Sequence, residues 1–271
     1  MAAADFLVVI SDVLLRWLIM YFPVSFLDIT YICSLITVFI SANTMNSVWM
    51  TVAFTFDRFV AICCKKLKTR YCTEKNAAVI IATVNVMRYL ESIPWFFIFH
   101  SKYIFNNLPW FCIIKPDYYT SIFWIIYGAV HRLLSPLLPC VIILLLNTLT
   151  IKHVLITSKA RRGLQKDSDK ENTSDPEMDK RRKSIVLLFA ISDSFIVLWI
   201  PYVVCFLYRR IALLHNYSTL SPTAGNIGYL LQLLSTYTNT CIYTVTQTQF
   251  RQQLKTVLKF PFTLILRSIK Q

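Results

Sequence analysis

Six apolar runs, spaced along the whole chain, constrain this sequence more than any other feature. They cover about residues 2–22, 32–64, 77–99, 119–154, 184–208 and 223–246. Each reaches or approaches the roughly 20 residues a helix needs to cross a bilayer core. Hydrophobic types make up 56% of the 271 residues and charged types only 15%, more apolar and less charged than a soluble domain. The expected fold class is therefore all-α membrane protein with one domain over residues 1–271 and no separate soluble unit. The first run is not a signal peptide, because it lacks a basic start and carries Asp5, Asp12 and Arg16.

The net charge of +14 admits nucleic acid as a partner until the charges are located. The basic residues gather in three gaps. One holds Arg58, Lys65, Lys66, Lys68, Arg70 and Lys75. A second runs from Lys152 to Lys183, and the third is the segment from Arg251 onward. These gaps share one side of the membrane and hold nearly all of the excess, the pattern of cytoplasmic loops. The charge thus labels topology and excludes nucleic acid; both ends of the chain are expected in the cytoplasm. Residues 158–183 read as a flexible charged loop. Asn216-Tyr217-Ser218 in an outer loop is a glycosylation triplet.

Arg58 ends the second run at the inner surface, and Cys33 lies about 37 Å of helix earlier, at the outer one. The next outward gap contains Cys112. Two cysteines on the oxidising side favour a disulfide; the alternative is two unbridged thiols. Cys63, Cys64 and Cys72 lie near the inner surface, where they are either palmitoylation sites or ordinary packing residues. Four scattered histidines form no zinc-ligand spacing, and no catalytic constellation is apparent.

Several motifs recur in one order. Ala2-Ala3-Ala4-Asp5 opens the chain. Cys33 and Asp57-Arg58-Phe59 follow, then Pro139, then Phe195 ahead of Trp199-Ile200-Pro201, then Asn239-Thr240-Cys241-Ile242-Tyr243. In this order and spacing the chain resembles the rhodopsin-like G protein-coupled receptors from their second helix onward. Ser92-Ile93-Pro94 and Leu138-Pro139-Cys140 are similar to an orphan branch thought to sense aromatic amino acids. The resemblance implies a seven-helix bundle lacking its first helix here, so six spans. An amphipathic helix would follow within residues 248–271. It also implies that a longer chain supplies the first helix. It departs from the family pattern at Asn147, where a tyrosine is expected, and at Thr240, where a proline is expected.

The resemblance further implies residue roles. Asp57, Arg58, Phe195, Trp199, Pro201, Asn239 and Tyr243 would form the activation switch. The acid that the family places opposite Arg58 is replaced by Arg181 or its neighbours, so a tight inactive lock is not expected. Asp5, Ser47, Ser235 and Asn239 would hold a sodium ion, the alternative being a protonated Asp5 hydrogen-bonded to Asn239. Ile40 replaces the family's amine-binding acid, which disfavours monoamines. Ser41, Thr44, His131, Arg132, Tyr202, Phe206, Arg209 and Tyr229 are the candidate ligand residues. They offer cations and rings but no carboxylate, and suit an acidic ligand with an apolar or aromatic body. Arg209 has a second reading, snorkelling to the interface. Asp12 with Arg16, and Arg88 with Glu91, read as pairs that neutralise each other. The implied partners are an extracellular small molecule or peptide, a heterotrimeric G protein and the lipid bilayer. The rivals are a non-signalling receptor product and a six-helix transporter or channel.

Overall fold

The computed structural model describes residues 2–22, 25–165, 176–215, 221–246, 251–252 and 255–256. Some side chains within those helices, including those of Asn239 and Tyr243, lie outside the described set.

The first apolar run is helical from residue 2 to residue 21. It comprises α1 (Ala2–Val8), a π-helical stretch (Val9–Leu14) and α2 (Leu15–Tyr21). Helix α3 (Thr30–Cys63) follows, then α4 (Lys65–Tyr71) and α5 (Glu74–Ser92). After a 3-10 turn come strands β1 (Phe99–Phe105) and β2 (Leu108–Ile114). The chain continues through α6 (Asp117–Thr120), α7 (Ile122–Ala129), a second π stretch (Val130–Leu134) and α8 (Ser135–Gln165). Helices α9 (Pro176–His215) and α10 (Pro222–Thr246) complete the bundle.

Among the described residues three helical stretches are long and apolar enough to cross a membrane on their own: Thr30–Cys63, Ile122–Thr157 and Ile185–Arg209. The other apolar runs form helices that pack on these. Residues 2–8 meet α3 and α10, α5 meets α3, and α10 lies along α9. Charges inside the first and third runs lower their mean hydropathy: Asp5, Asp12 and Arg16 in one, Arg88 and Glu91 in the other.

Helix α3 is the hub, touching α1, α5, α8 and α9. Its middle is buried on all sides, through Ala42, Asn43, Thr44, Met45, Asn46, Ser47 and Val48. Polar groups there must be satisfied inside the protein because lipid offers no partners. Thr51 and Thr55 donate to carbonyls one turn back, at 3.1 and 2.8 Å. Asn43 donates to Ser11 and accepts from Tyr89 (3.2 and 2.8 Å), and Asn46 donates to Asn85. These bonds fasten the first run and α5 to the hub.

Charge patterning did not reveal the outer hairpin. β1 and β2 pair antiparallel, with Phe105 opposite Leu108. The turn between them is Asn106-Asn107, both at positive φ (50° and 59°), the two-residue geometry that asparagine tolerates best after glycine. Cys33 and Cys112 form the expected disulfide, which ties β2 to the outer end of α3. Thr30 Oγ1 also donates to the Phe111 carbonyl (3.1 Å). Phe111 is held at φ 59°, a strained value for a side chain of that size.

Within the segment 158–183, expected as a flexible loop, the described residues are helical. Helix α8 runs on to Gln165, and α9 begins at Pro176. Lysine, arginine, leucine and glutamine propagate a helix well. Pro176 sits at a first helical position, where its missing N–H costs nothing. Residues 166–175 and the glycosylation triplet at Asn216 lie outside the described residues, as does most of the amphipathic tail expected over 248–271.

Beside Pro201, inside α9, α10 comes close through Gly228. A Cβ there would stand 3.1 Å from Tyr202 Cα and 3.4 Å from the Pro201 carbonyl carbon. Gly228→Leu is therefore expected to push the two helices apart at a cost of about 1–3 kcal/mol, measured as a lowered thermal midpoint. An unchanged midpoint would show that the α9–α10 contact is looser than this.

Candidate functional site

A cavity of about 500 Å³ opens between the outer halves of the helices, within the size range of small-molecule sites. Trp199 is among its lining residues, and the hairpin end bounds it through Cys33, Phe99 and Ile114. Six of the eight residues singled out as ligand contacts line it: Ser41, Thr44, His131, Arg132, Tyr202 and Tyr229. Phe206 and Arg209 do not. The Phe206 ring instead lies under the Arg132 guanidinium, 5.5 Å away. Arg209 is exposed and packs at Gly225 on α10.

The two π-helical stretches build the charged walls. His131 and Arg132 sit in the stretch Val130–Leu134, just before Pro136, which cannot donate to a regular α-helical ladder. Asp12 sits in the stretch Val9–Leu14, where the Ser11 hydroxyl bonds back to the Leu7 carbonyl at 2.7 Å. Widened turns of this kind re-aim side chains and recur at functional sites. Here they carry both signs of charge to one cavity.

The eight candidate residues include no carboxylate, but the cavity does. Asp12 lines it, with a side chain only 2% exposed. It is paired with Arg16 at 2.7 Å and accepts from the Tyr229 hydroxyl at 2.8 Å. The two charges do neutralise each other as expected, but they do so within the cavity wall and not on the lipid face. The sequence held a signal for this. Asp5, Val8 and Asp12 recur at helical spacing and are all buried, which puts Asp12 on the same inward face as Asp5.

Arg132 has no carboxylate within ion-pair distance among the described residues. Its guanidinium donates to Tyr118 at 3.2 Å and lies over the rings of Trp95 (5.7 Å) and Phe206 (5.5 Å). Such contacts hold a cation in place without neutralising it. Beside it, His131 Nε2 lies 3.0 Å from the Ser41 hydroxyl. Trp95 and Gln232 also line the cavity and were not anticipated. No helical period distinguishes Trp95 in a short 3-10 turn.

Below the cavity, Trp199 is buried with Phe195 against Met45, Val48, Val52 and Ile143. Its indole N–H donates to the Ser235 hydroxyl at 2.9 Å, and Ser235 donates to the Gln232 carbonyl at 2.7 Å. Trp199 thus joins α9 to α10 directly under the cavity. Lower still, Asp5 is buried and accepts from the Ser47 hydroxyl, while its second oxygen has no hydrogen-bond partner among the described residues. An unpaired carboxylate oxygen beside a serine suits a hard cation such as sodium. Asn147, where the resemblance calls for a tyrosine, is buried, and its side-chain oxygen has no hydrogen-bond partner among the described residues.

At the opposite end, Arg58 pairs with its neighbour Asp57 through Nε (3.1 Å) and Nη2 (2.8 Å). The Arg58 guanidinium lies over the Phe54 ring. Phe54 and Ile242 pack on buried Leu187 and Ile191 of α9. The ends of α3, α9 and α10 next to Arg58 are therefore closed by apolar contact. The Asn239 and Tyr243 side chains, and that of Arg181, fall outside the described residues.

A family model for the 7 transmembrane receptor (rhodopsin family) matches residues 1–243, which includes every residue of the cavity and of the Arg58 end.

Proposed function

The chain belongs to the rhodopsin family of seven-transmembrane receptors, a family of membrane receptors and not of enzymes, and from that premise we propose that it binds an extracellular ligand in the Trp199-bounded cavity and signals to a heterotrimeric G protein through Arg58. The observation that carries the ligand side is Arg132, a cation in the cavity wall that lies over two rings and has no carboxylate paired to it among the described residues. An acidic group on a ligand with an aromatic or apolar body satisfies both features.

Arg58 stands at the other end of α3. A ligand can shift such a bundle only by binding one arrangement better than another. Trp199, bordering the cavity and bonded to α10, is the group placed to feel that difference. Pro201 gives α9 its pivot. Outward movement of the inner end of α9 would part Leu187 and Ile191 from Phe54 and uncover Arg58. Asp5 and Ser47 would hold a sodium ion that favours the closed arrangement. The basic gaps support an orientation with the C-terminal segment on the inner face of the plasma membrane.

The test is a binding screen of small aromatic and aliphatic carboxylates on the full chain in membranes, repeated with Arg132→Gln. Removing one charge-assisted bond of about 1.5–3 kcal/mol weakens binding roughly 10- to 100-fold. A carboxylate that binds both forms equally would remove Arg132 from the ligand site.

A further inference from the structure

We propose that Glu91 is a positioning residue: held by Arg88, it clamps the π stretch Val130–Leu134 at both ends, and so sets how tightly the cavity holds a carboxylate through Arg132. The affinity part rests on the ligand reading above; the clamp itself stands on geometry.

Arg88 and Glu91 form an ion pair on α5, inside the apolar run 77–99. Charges at such a depth are costly and mark a functional role. The Arg88 guanidinium lies over the Trp49 ring of α3 at 4.9 Å, which anchors the pair to the hub. Glu91 then accepts two hydrogen bonds from the neighbouring helices. Tyr127 Oη donates to its backbone carbonyl at 2.6 Å, and Ser135 Oγ donates to its carboxylate at 3.4 Å. Pro94, three residues on, has no N–H to offer that carbonyl, so it is open to the tyrosine. Tyr127 lies in the last turn of α7, and Ser135 opens α8. The π stretch lies between them. One residue of α5 thus grips both ends of the segment that carries His131 and Arg132.

The i→i+5 bonding of a π stretch holds one residue more than the α-helix it interrupts. If it relaxed, the chain ahead of Ser135 would turn by up to about 100° relative to α8, the angle per residue of an α-helix. Neither Arg88 nor Glu91 lines the cavity, so their effect on a ligand passes through this register. Two neighbours of Glu91 support the same segment. Trp95, one helical turn on, packs against the rings of Tyr127 at 5.1 Å and His131 at 5.3 Å. Ser92 donates to Ser41 at 3.3 Å, and Ser41 lies 3.0 Å from His131 Nε2. With both tethers made, Arg132 lines the cavity. Without them it turns toward the helix wall, away from water.

The experiment uses the full chain in lipid nanodiscs with Tyr127→Phe/Ser135→Ala, which removes both tethers and leaves the Arg88–Glu91 pair in place. The first readout needs no ligand. Arg132→Cys is labelled with a small water-soluble thiosulfonate, and its rate is the difference from the same chain with Arg132 intact. The thiolate is the reactive form and apolar surroundings suppress it. The tether-free chain is therefore expected to label roughly 5- to 30-fold more slowly, the ratio that one or two net hydrogen bonds command. An unchanged or faster rate overturns the clamp, because a merely structural role lowers the thermal midpoint and leaves this rate alone. Where the double variant does not fold, Tyr127→Phe, which loses only a hydroxyl, is expected to slow labelling in the same direction. The second readout is binding of 3-phenylpropionate. The tether-free chain is expected to bind it more weakly when Arg132 is present and no differently on an Arg132→Gln background. Equal binding with and without the tethers overturns the affinity part. Slowed labelling of a chain that binds no carboxylate supports the clamp and overturns the ligand reading, and the affinity part falls with it.

Discussion

Trp199→Ala is expected to be the most damaging single substitution in the bundle core. It empties the space between Phe195, Met45, Val48 and Ile143 and breaks the bond to Ser235. Comparable losses in soluble cores cost about 3–5 kcal/mol. In a bilayer the water-expulsion share is smaller, because lipid is already apolar, so about 2–3 kcal/mol is expected here. Trp199→Phe keeps most of the packing and loses only the indole N–H, so its cost is about 1 kcal/mol. Thermal midpoints in detergent or nanodiscs should rank wild type, Phe, then Ala. Equal midpoints for Phe and Ala would mean that the hydrogen bond and not the packing dominates.

Removing the disulfide with Cys33→Ser/Cys112→Ser is the second large effect. The bridge closes a loop between positions 79 residues apart, and such cross-links contribute about 2–4 kcal/mol, mostly by restricting the unfolded chain. The consequence is also local. The bridge holds β2 against α3, and Cys33, Phe99 and Ile114 bound the cavity. The double variant is therefore expected to lose thermal stability and to bind carboxylate ligands more weakly. Reduction of the wild type should reproduce both losses. A stable double variant that binds normally would show that Thr30 and the Ile29–Trp110 bridge suffice to place the hairpin.

The helices were legible because lipid enforces one rule on every apolar run, that the backbone bonds within its own segment. Thus 32–64 was read for a helix that spans Thr30–Cys63, and 223–246 for one that spans Pro222–Thr246. Cys33 and Cys112 were legible because charge had already assigned the sides. The hairpin was less so: its strands carry Lys102 and His100 among apolar residues, and its turn, Asn106-Asn107, takes its shape from backbone torsions. Within the cavity, Ser41, Thr44 and Tyr229 followed from position along their helices. Asp12 was not among the candidate ligand residues, because its i,i+4 spacing to Arg16 reads as simple neutralisation whether the pair faces lipid or a cavity. The helical spacing of Asp5, Val8 and Asp12, all buried, decides between the two. Arg209, for which snorkelling was the second reading, lies near the end of α9 at Gly225, beyond the cavity.

The central claim is that Arg58 transmits the state of the bundle to a G protein. On the proposed function, Arg181 or its neighbours stand where the resemblance calls for an acid, so the inactive state would lack that charge lock and signalling without ligand is expected. The direct measurement is guanine-nucleotide exchange on purified heterotrimeric G proteins, driven by the full chain in lipid nanodiscs without added ligand. The account predicts exchange faster than G protein alone, falling to that baseline with an Arg58→Ala variant that keeps its thermal midpoint. Exchange that Arg58→Ala leaves unchanged, or no acceleration with any G protein class, would contradict it.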